Sequence, residues 1–105
     1  FPKLRCIAAH LGNWGDWDPE KIRPLTRLSN VYTDISSSFS YVQDKGPLYE
    51  ILREYDPSHV FFGSDYPIWC PKKELQKALA LGLEPSFLED ILFRNFAKFY
   101  HYRPL

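Results

Sequence analysis

Three short runs of β-branched, aromatic and aliphatic residues, each followed by a stretch with helical spacing, constrain this chain more than anything else in it. Leu4 to Ala9, Val31 to Ile35 and Val60 to Gly63 read as strands. Their starts lie a little under thirty residues apart, the length expected of a strand–helix unit. Strands that alternate with helices form a parallel sheet with right-handed crossovers. The class is therefore α/β.

The helices announce themselves through their ends. Asp18 is an N-cap with Pro19 at the first helical position, and Ile22, Leu25 and Leu28 follow with helical spacing. Pro24 shortens or kinks that helix. Ser36 to Ser38 reads as a polar loop. Gly46-Pro47 opens a helix whose Leu48, Ile51, Leu52 and Tyr55 form an apolar stripe, and Asp56-Pro57 ends it. Pro71 opens another, with Leu75, Ala78 and Leu79 on one face and Gly82 as C-cap. A last helix is expected from Ser86 to Tyr100, started by capping-box spacing between Ser86 and Glu89. Its buried face comprises Leu88, Ile91, Leu92, Asn95, Phe96 and Phe99.

Three parallel strands do not close a barrel, and their edges are expected to be unpaired. The economical architecture is the C-terminal (βα)₃ part of a TIM (β/α)₈ barrel with an extra helix at the end, residues 1–105 forming one partial domain. The opening Phe1-Pro2, in place of Met, fits a piece of a longer protein, a processed or engineered start being the alternative. The expected partners are then a missing N-terminal barrel half, or other copies of the chain.

Thirteen basic residues balance thirteen acidic ones, which leaves no electrostatic footprint for nucleic acid or an anionic membrane. No apolar stretch is long enough to span a bilayer, and no secretory signal pattern opens the chain. Cys6, in a strand, and Cys70, in a loop, have no metal-type spacing; they read as a small buried residue and a loop thiol, compatible with a reducing cytoplasmic setting.

In parallel α/β folds, ligands and catalytic groups collect where strands end. His10 follows the first strand, and Asp65, in Gly63-Ser64-Asp65-Tyr66-Pro67, follows the third. This pair suggests a metal or acid–base site for a small-molecule substrate. If His10 points into the barrel, alternation turns Cys6 and Ala8 inward and Ile7 outward; Asp65 inward implies Gly63 and Phe61 inward. Trp14 and Trp17 sit in the loop after His10, where they either wall a substrate pocket or cover the next helix. Tyr66 joins them as a substrate-contact candidate. Asp34 and the serine run lie near the same rim, where a plain serine turn is the simpler reading. Bland alternatives exist for the main pair too: a turn Asp and a His satisfied by backbone.

The same residues resemble a known group, the amidohydrolase-related TIM-barrel metal-dependent hydrolases, in the branch with aminocarboxymuconate semialdehyde decarboxylase and the dicarboxylate lactonases. Phe1 to Gly12 is similar to that branch's sixth strand with its His-x-Gly end, Val31 to Ser36 to its seventh, and Val60 to Pro67 to its eighth with Gly-Ser-Asp-Tyr-Pro. Ile91 to Phe99 resembles the closing helix. The resemblance implies that Asp65 serves a catalytic divalent metal, zinc being expected, and its water, and that His10 contacts substrate as acid or electrophile. It also implies hydrolysis of an amide, lactone or related bond, with nonoxidative decarboxylation on the same scaffold as the rival. A noncatalytic open α/β module is the rival of another class. The family's His-x-His and its strand-five His have no counterpart here. His59 precedes the third strand, on the opposite face, and His101 is in the tail. One Asp, with a His that contacts substrate and not the metal, falls short of the three protein ligands that catalytic zinc takes, so the chain alone is expected to be inactive.

Overall fold

The computed structural model describes residues 1–12, 18–41 and 45–104. Three strands, β1 (Cys6–Ala8), β2 (Val31–Asp34) and β3 (Val60–Phe61), form one parallel sheet in the order β1-β2-β3. The register pairs Ile7 with Tyr32 and Asp34 with Phe61. All three strands are shorter than the sequence suggests: β1 is trimmed at both ends, β2 and β3 at their exits.

The helices are α1 (Pro19–Thr26), α2 (Ser38–Tyr41), α3 (Lys45–Glu54), α4 (Pro71–Leu79), α5 (Pro85–Glu89) and α6 (Asn95–Phe99). Asp18 caps α1 as expected, its carboxylate accepting from the Glu20 N–H at 3.0 Å. Pro24 lies inside α1, which stops two residues later, so Leu28 falls beyond the helix and is exposed. In α3 the periodic residues Leu48, Ile51 and Leu52 are all buried, with Tyr55 just past its end. They join Leu11, Ile22, Ile35, Val60, Ala78, Leu83 and Ile91 in a single core between the sheet and its helices.

Five expectations about the helices and their connections are corrected. Ser36, Ser37 and Ser38 are buried, and the last of them opens α2. Their hydroxyls all find partners, so burial costs little. In α4 the inward face carries Glu74 and Ala78, while Leu79 is exposed. Ala80 is the C-cap, with Gly82 at φ 73° two residues further on. Ser86 and Glu89 form no capping box; both instead engage Arg94, with Glu84 at the N-cap position. The last helix is not uniform either. A π-turn at Asp90–Arg94 separates α5 from α6 and rotates the periodicity, leaving Ile91 and Asn95 buried and Phe96 exposed.

That π-turn also meets the sheet. The Ile91 carbonyl accepts from the Phe62 N–H at 2.8 Å, and the Asn95 carboxamide donates to the carbonyls of Val60 (2.8 Å) and Pro57 (2.6 Å). Phe61 directs its carbonyl to Ile35 on the β2 side. The polar groups flanking Phe61 are thus taken by the C-terminal helical segment, which corrects the expectation of an unpaired edge beside β3.

The sheet's other face is aromatic. Tyr32 and Phe61 stack at 5.7 Å, and Phe99 meets them edge-on at 4.6 and 5.3 Å. Arg5 caps the cluster, its guanidinium 4.2 Å from the Phe99 ring centre and donating to the Phe99 carbonyl at 2.8 Å. His59 stands 4.3 Å from Tyr32, at the strand start, away from the exits as expected.

Candidate functional site

At each strand exit the backbone enters the left-handed region without a glycine. His10 and Leu11 have φ 57° after β1, Ser37 has φ 58° after β2, and Asp65 has φ 57° after β3. Such conformations cost about 1–3 kcal/mol each and concentrate at functional sites. His and Asp tolerate this region better than most residues; Leu11 does not, and it is held by full burial and by the Tyr55 hydroxyl, which donates to its carbonyl at 2.9 Å. Gly12 completes the turn at φ 79°; a Cβ there would meet Leu25 Cδ1 at 2.7 Å.

These turns alter which residues share a face. Ile7 lies beside Tyr32 in the register and is partly exposed. Ala8 lies beside Thr33, and its Cβ neighbours the site where Leu25 and Tyr55 pack. Cys6 and Ala8 therefore face the helices and Ile7 the interior of the arc, the reverse of the sequence expectation. Alternation failed because His10 is no longer in a strand. The expectation for the third strand holds: Phe61 stacks on Tyr32, and a Cβ on Gly63 would meet Asp34 and Ser36.

The two leading candidates stand on one rim, linked through the end of β2. His10 Nδ1 lies 2.9 Å from Ser36 Oγ and 3.1 Å from the Ser36 carbonyl oxygen. Asp34 Oδ1 accepts from the Ser36 N–H at 2.9 Å, from the His10 N–H at 3.3 Å and from the Ser36 hydroxyl. The next residue serves the other side: the Ser37 hydroxyl donates to Asp65 Oδ2 at 2.7 Å and accepts from the Trp69 indole N–H at 3.0 Å. Adjacent serines thus hold the imidazole and the carboxylate. Sequence reasoning passed over these roles of Asp34, Ser36, Ser37 and Trp69. The available signal was an Asp followed by a serine run at a strand end.

Tyr66 is mostly exposed beside Asp65, ahead of a cis bond to Pro67. Cys70 is exposed at the N-cap of α4, and Cys6 is partly buried. Trp14 and Trp17 lie outside the described residues. His101 is exposed in the tail. Among the described residues no three His, Cys, Asp or Glu side chains come together as a metal site. Asp65 and Asp34 are the carboxylates at this rim, and two carboxylates fall short of the three protein ligands of a catalytic zinc site.

Burial raises the Tyr55 phenol above its ordinary value of 10.0, against a smaller opposing effect of a hydrogen bond with Thr33. Its contribution to stability is therefore complete below pH 10.0 and declines as pH rises through the raised value. Tyr55→Phe leaves the Leu11 carbonyl without this donor, at an expected cost of about 1–3 kcal/mol. Urea titrations at neutral pH should show that loss, and the variant should lose less stability than wild type on moving to strongly alkaline pH.

A family model described as amidohydrolase matches residues 1–102. No curated protein matches. Among solved structures, amidohydrolase 2 from Bifidobacterium longum subsp. infantis is similar at 21% identity and TM-score 0.75, over 97% of this chain and 42% of that one. An amidohydrolase from Burkholderia multivorans with bound zinc gives 14% and 0.78, over 95% and 45%. The 5-carboxyvanillate decarboxylase of Sphingomonas paucimobilis gives 15% and 0.75, over 98% and 35%. The chain spans less than half the length of each, and at these identities the likeness shows the fold: an arc of a TIM-type barrel. No helix among the described residues is long and apolar enough to cross a membrane. With the family match running over nearly the whole length, the chain belongs to the amidohydrolase family.

Proposed function

We propose that residues 1–105 are a single partial domain, the C-terminal arc of a hydrolase that cleaves an amide, lactone or similar polar bond in a small molecule. One observation carries the reading: His10 and Asp65, both in strained left-handed conformations at strand exits, are gathered onto one rim by Ser36 and Ser37. His10 binds and polarises the substrate oxygen that gains charge, or delivers a proton to it. Asp65 is the acceptor side of the pair and supplies one carboxylate to a divalent-metal site, zinc being the expected ion. The residues described here do not complete that site, so the rest of the barrel, or another chain, supplies what is missing. Tyr66, Trp14 and Trp17 are the proposed substrate contacts, and a cytoplasmic location fits two unpaired thiols. The branch proposed is the one with aminocarboxymuconate semialdehyde decarboxylase and the dicarboxylate lactonases.

The test compares the 105-residue chain with a protein carrying it inside a complete barrel. Both are offered lactones, amides and hydroxybenzoates with zinc present. The barrel-complete protein is expected to hydrolyse a lactone or amide, and the chain alone to turn over nothing and hold less than stoichiometric zinc. Release of carbon dioxide without hydrolysis would replace the hydrolase reading by the decarboxylase one. Turnover by the isolated chain with a full zinc complement would overturn the partial-site reading.

A further inference from the structure

We infer that Asp34 is the positioning residue of His10, and that it holds the imidazole as the Nδ1–H tautomer with the basic lone pair on Nε2. The catalytic consequence rests on the functional reading above; the tautomer does not.

An ionised carboxylate only accepts hydrogen bonds. Asp34 Oδ1 takes the Ser36 hydroxyl hydrogen, and a hydroxyl has only one to give. Ser36 Oγ therefore turns lone pairs toward His10 Nδ1, 2.9 Å away. The Ser36 carbonyl oxygen, 3.1 Å from the same nitrogen, is also an acceptor. Facing two acceptors, Nδ1 carries the hydrogen. A neutral imidazole has one, so Nε2 is the basic nitrogen.

Asp34 secures the backbone as well. The same oxygen receives the N–H groups of His10, at 3.3 Å, and of Ser36, at 2.9 Å. It thereby holds the left-handed turn at His10 (φ 57°) in register with the end of β2. One atom thus sets where the ring stands and, through Ser36, which nitrogen is protonated. Asp34 acts on the ring through the Ser36 hydroxyl, so its role is positioning.

The experiment records long-range proton–nitrogen correlations of the histidine rings in the uniformly ¹⁵N-labelled chain, at about pH 8.5, where an ordinary histidine is neutral. The spectrum of His10→Gln identifies the His10 signals. Wild type is expected to show His10 as the Nδ1–H form, the reverse of the preference of free histidine. Asp34→Asn, which keeps an oxygen for the three donors, should retain it. Asp34→Ala should revert to the Nε2–H form. An Nε2–H ring in wild type overturns the inference, as does an unchanged tautomer in a folded Asp34→Ala chain. Wild type also offers a reading that needs no folded variant: the Ser36 hydroxyl hydrogen should exchange slowly and give a resolved signal in contact with Asp34, and a fast-exchanging hydroxyl overturns the inference. In a barrel-complete protein, Asp34→Ala is expected to lower kcat about 10–100-fold, the usual range for removing the outer partner of a working histidine, with KM little changed; a loss confined to KM overturns the positioning role. Absence of any wild-type turnover would sink the functional reading while the tautomer result still decides this one.

Discussion

Asp65→Asn in a barrel-complete protein is expected to lower kcat by about 10²–10⁴-fold, the range associated with losing a proton-handling group, while the protein still folds. The change removes a charge and almost no volume. The Ser37 hydroxyl, which donates to Asp65 Oδ2 at 2.7 Å, can donate equally to the amide oxygen of Asn. The left-handed φ of 57° at this position also suits Asn. A fall in rate would therefore reflect chemistry and not collapse of the rim. Steady-state kinetics on the best substrate, beside a thermal melt, make the check; near-normal turnover would remove Asp65 from the reacting groups.

Asn95→Leu should be the most damaging polar substitution for stability, at about 3 kcal/mol or more. The Asn95 carboxamide donates at 2.6 Å to Pro57 and at 2.8 Å to Val60, linking the turn before β3 to the strand itself. Leu keeps the branch point and the number of side-chain heavy atoms, though it is bulkier, and donates nothing, so two carbonyls lose their partner, each at about 1–3 kcal/mol, with any crowding adding to the loss. In a domain of this size that corresponds to a fall in melting temperature of more than about 10 °C. Denaturant titration of the two chains decides it; a loss below about 1 kcal/mol would show that water or another donor replaces the carboxamide. The contact joins the pairing with β2 and the Phe62–Ile91 bond in holding β3, the strand that leads to Asp65.

Much of the fold was legible along the chain. Asp18-Pro19 starts α1, Leu48, Ile51, Leu52 and Tyr55 form a buried stripe, and three spaced apolar runs make a parallel sheet. These features depend on neighbours within a turn or two, where side-chain spacing and backbone preference act directly. His10 and Asp65 were legible because strand exits are predictable once strands are. The faces of β1 were not, because alternation was carried through His10, where the backbone leaves the strand. The last helix was misread for a similar reason: a π-turn adds a residue to the repeat, and nothing in the local pattern marks it.

The amino-acid order alone settled the class of fold and the alternation of its elements, and put His10 and Asp65 at strand exits, since each follows from short-range periodicity and the chemistry of helix and strand ends. Only the folded chain decided that Ser36 and Ser37 are buried, that they face a histidine and a carboxylate respectively, and that Asn95 and Ile91 reach the outer side of β3. Those pairings join residues dozens of positions apart, and their partners are chosen by the need of buried polar groups to be satisfied.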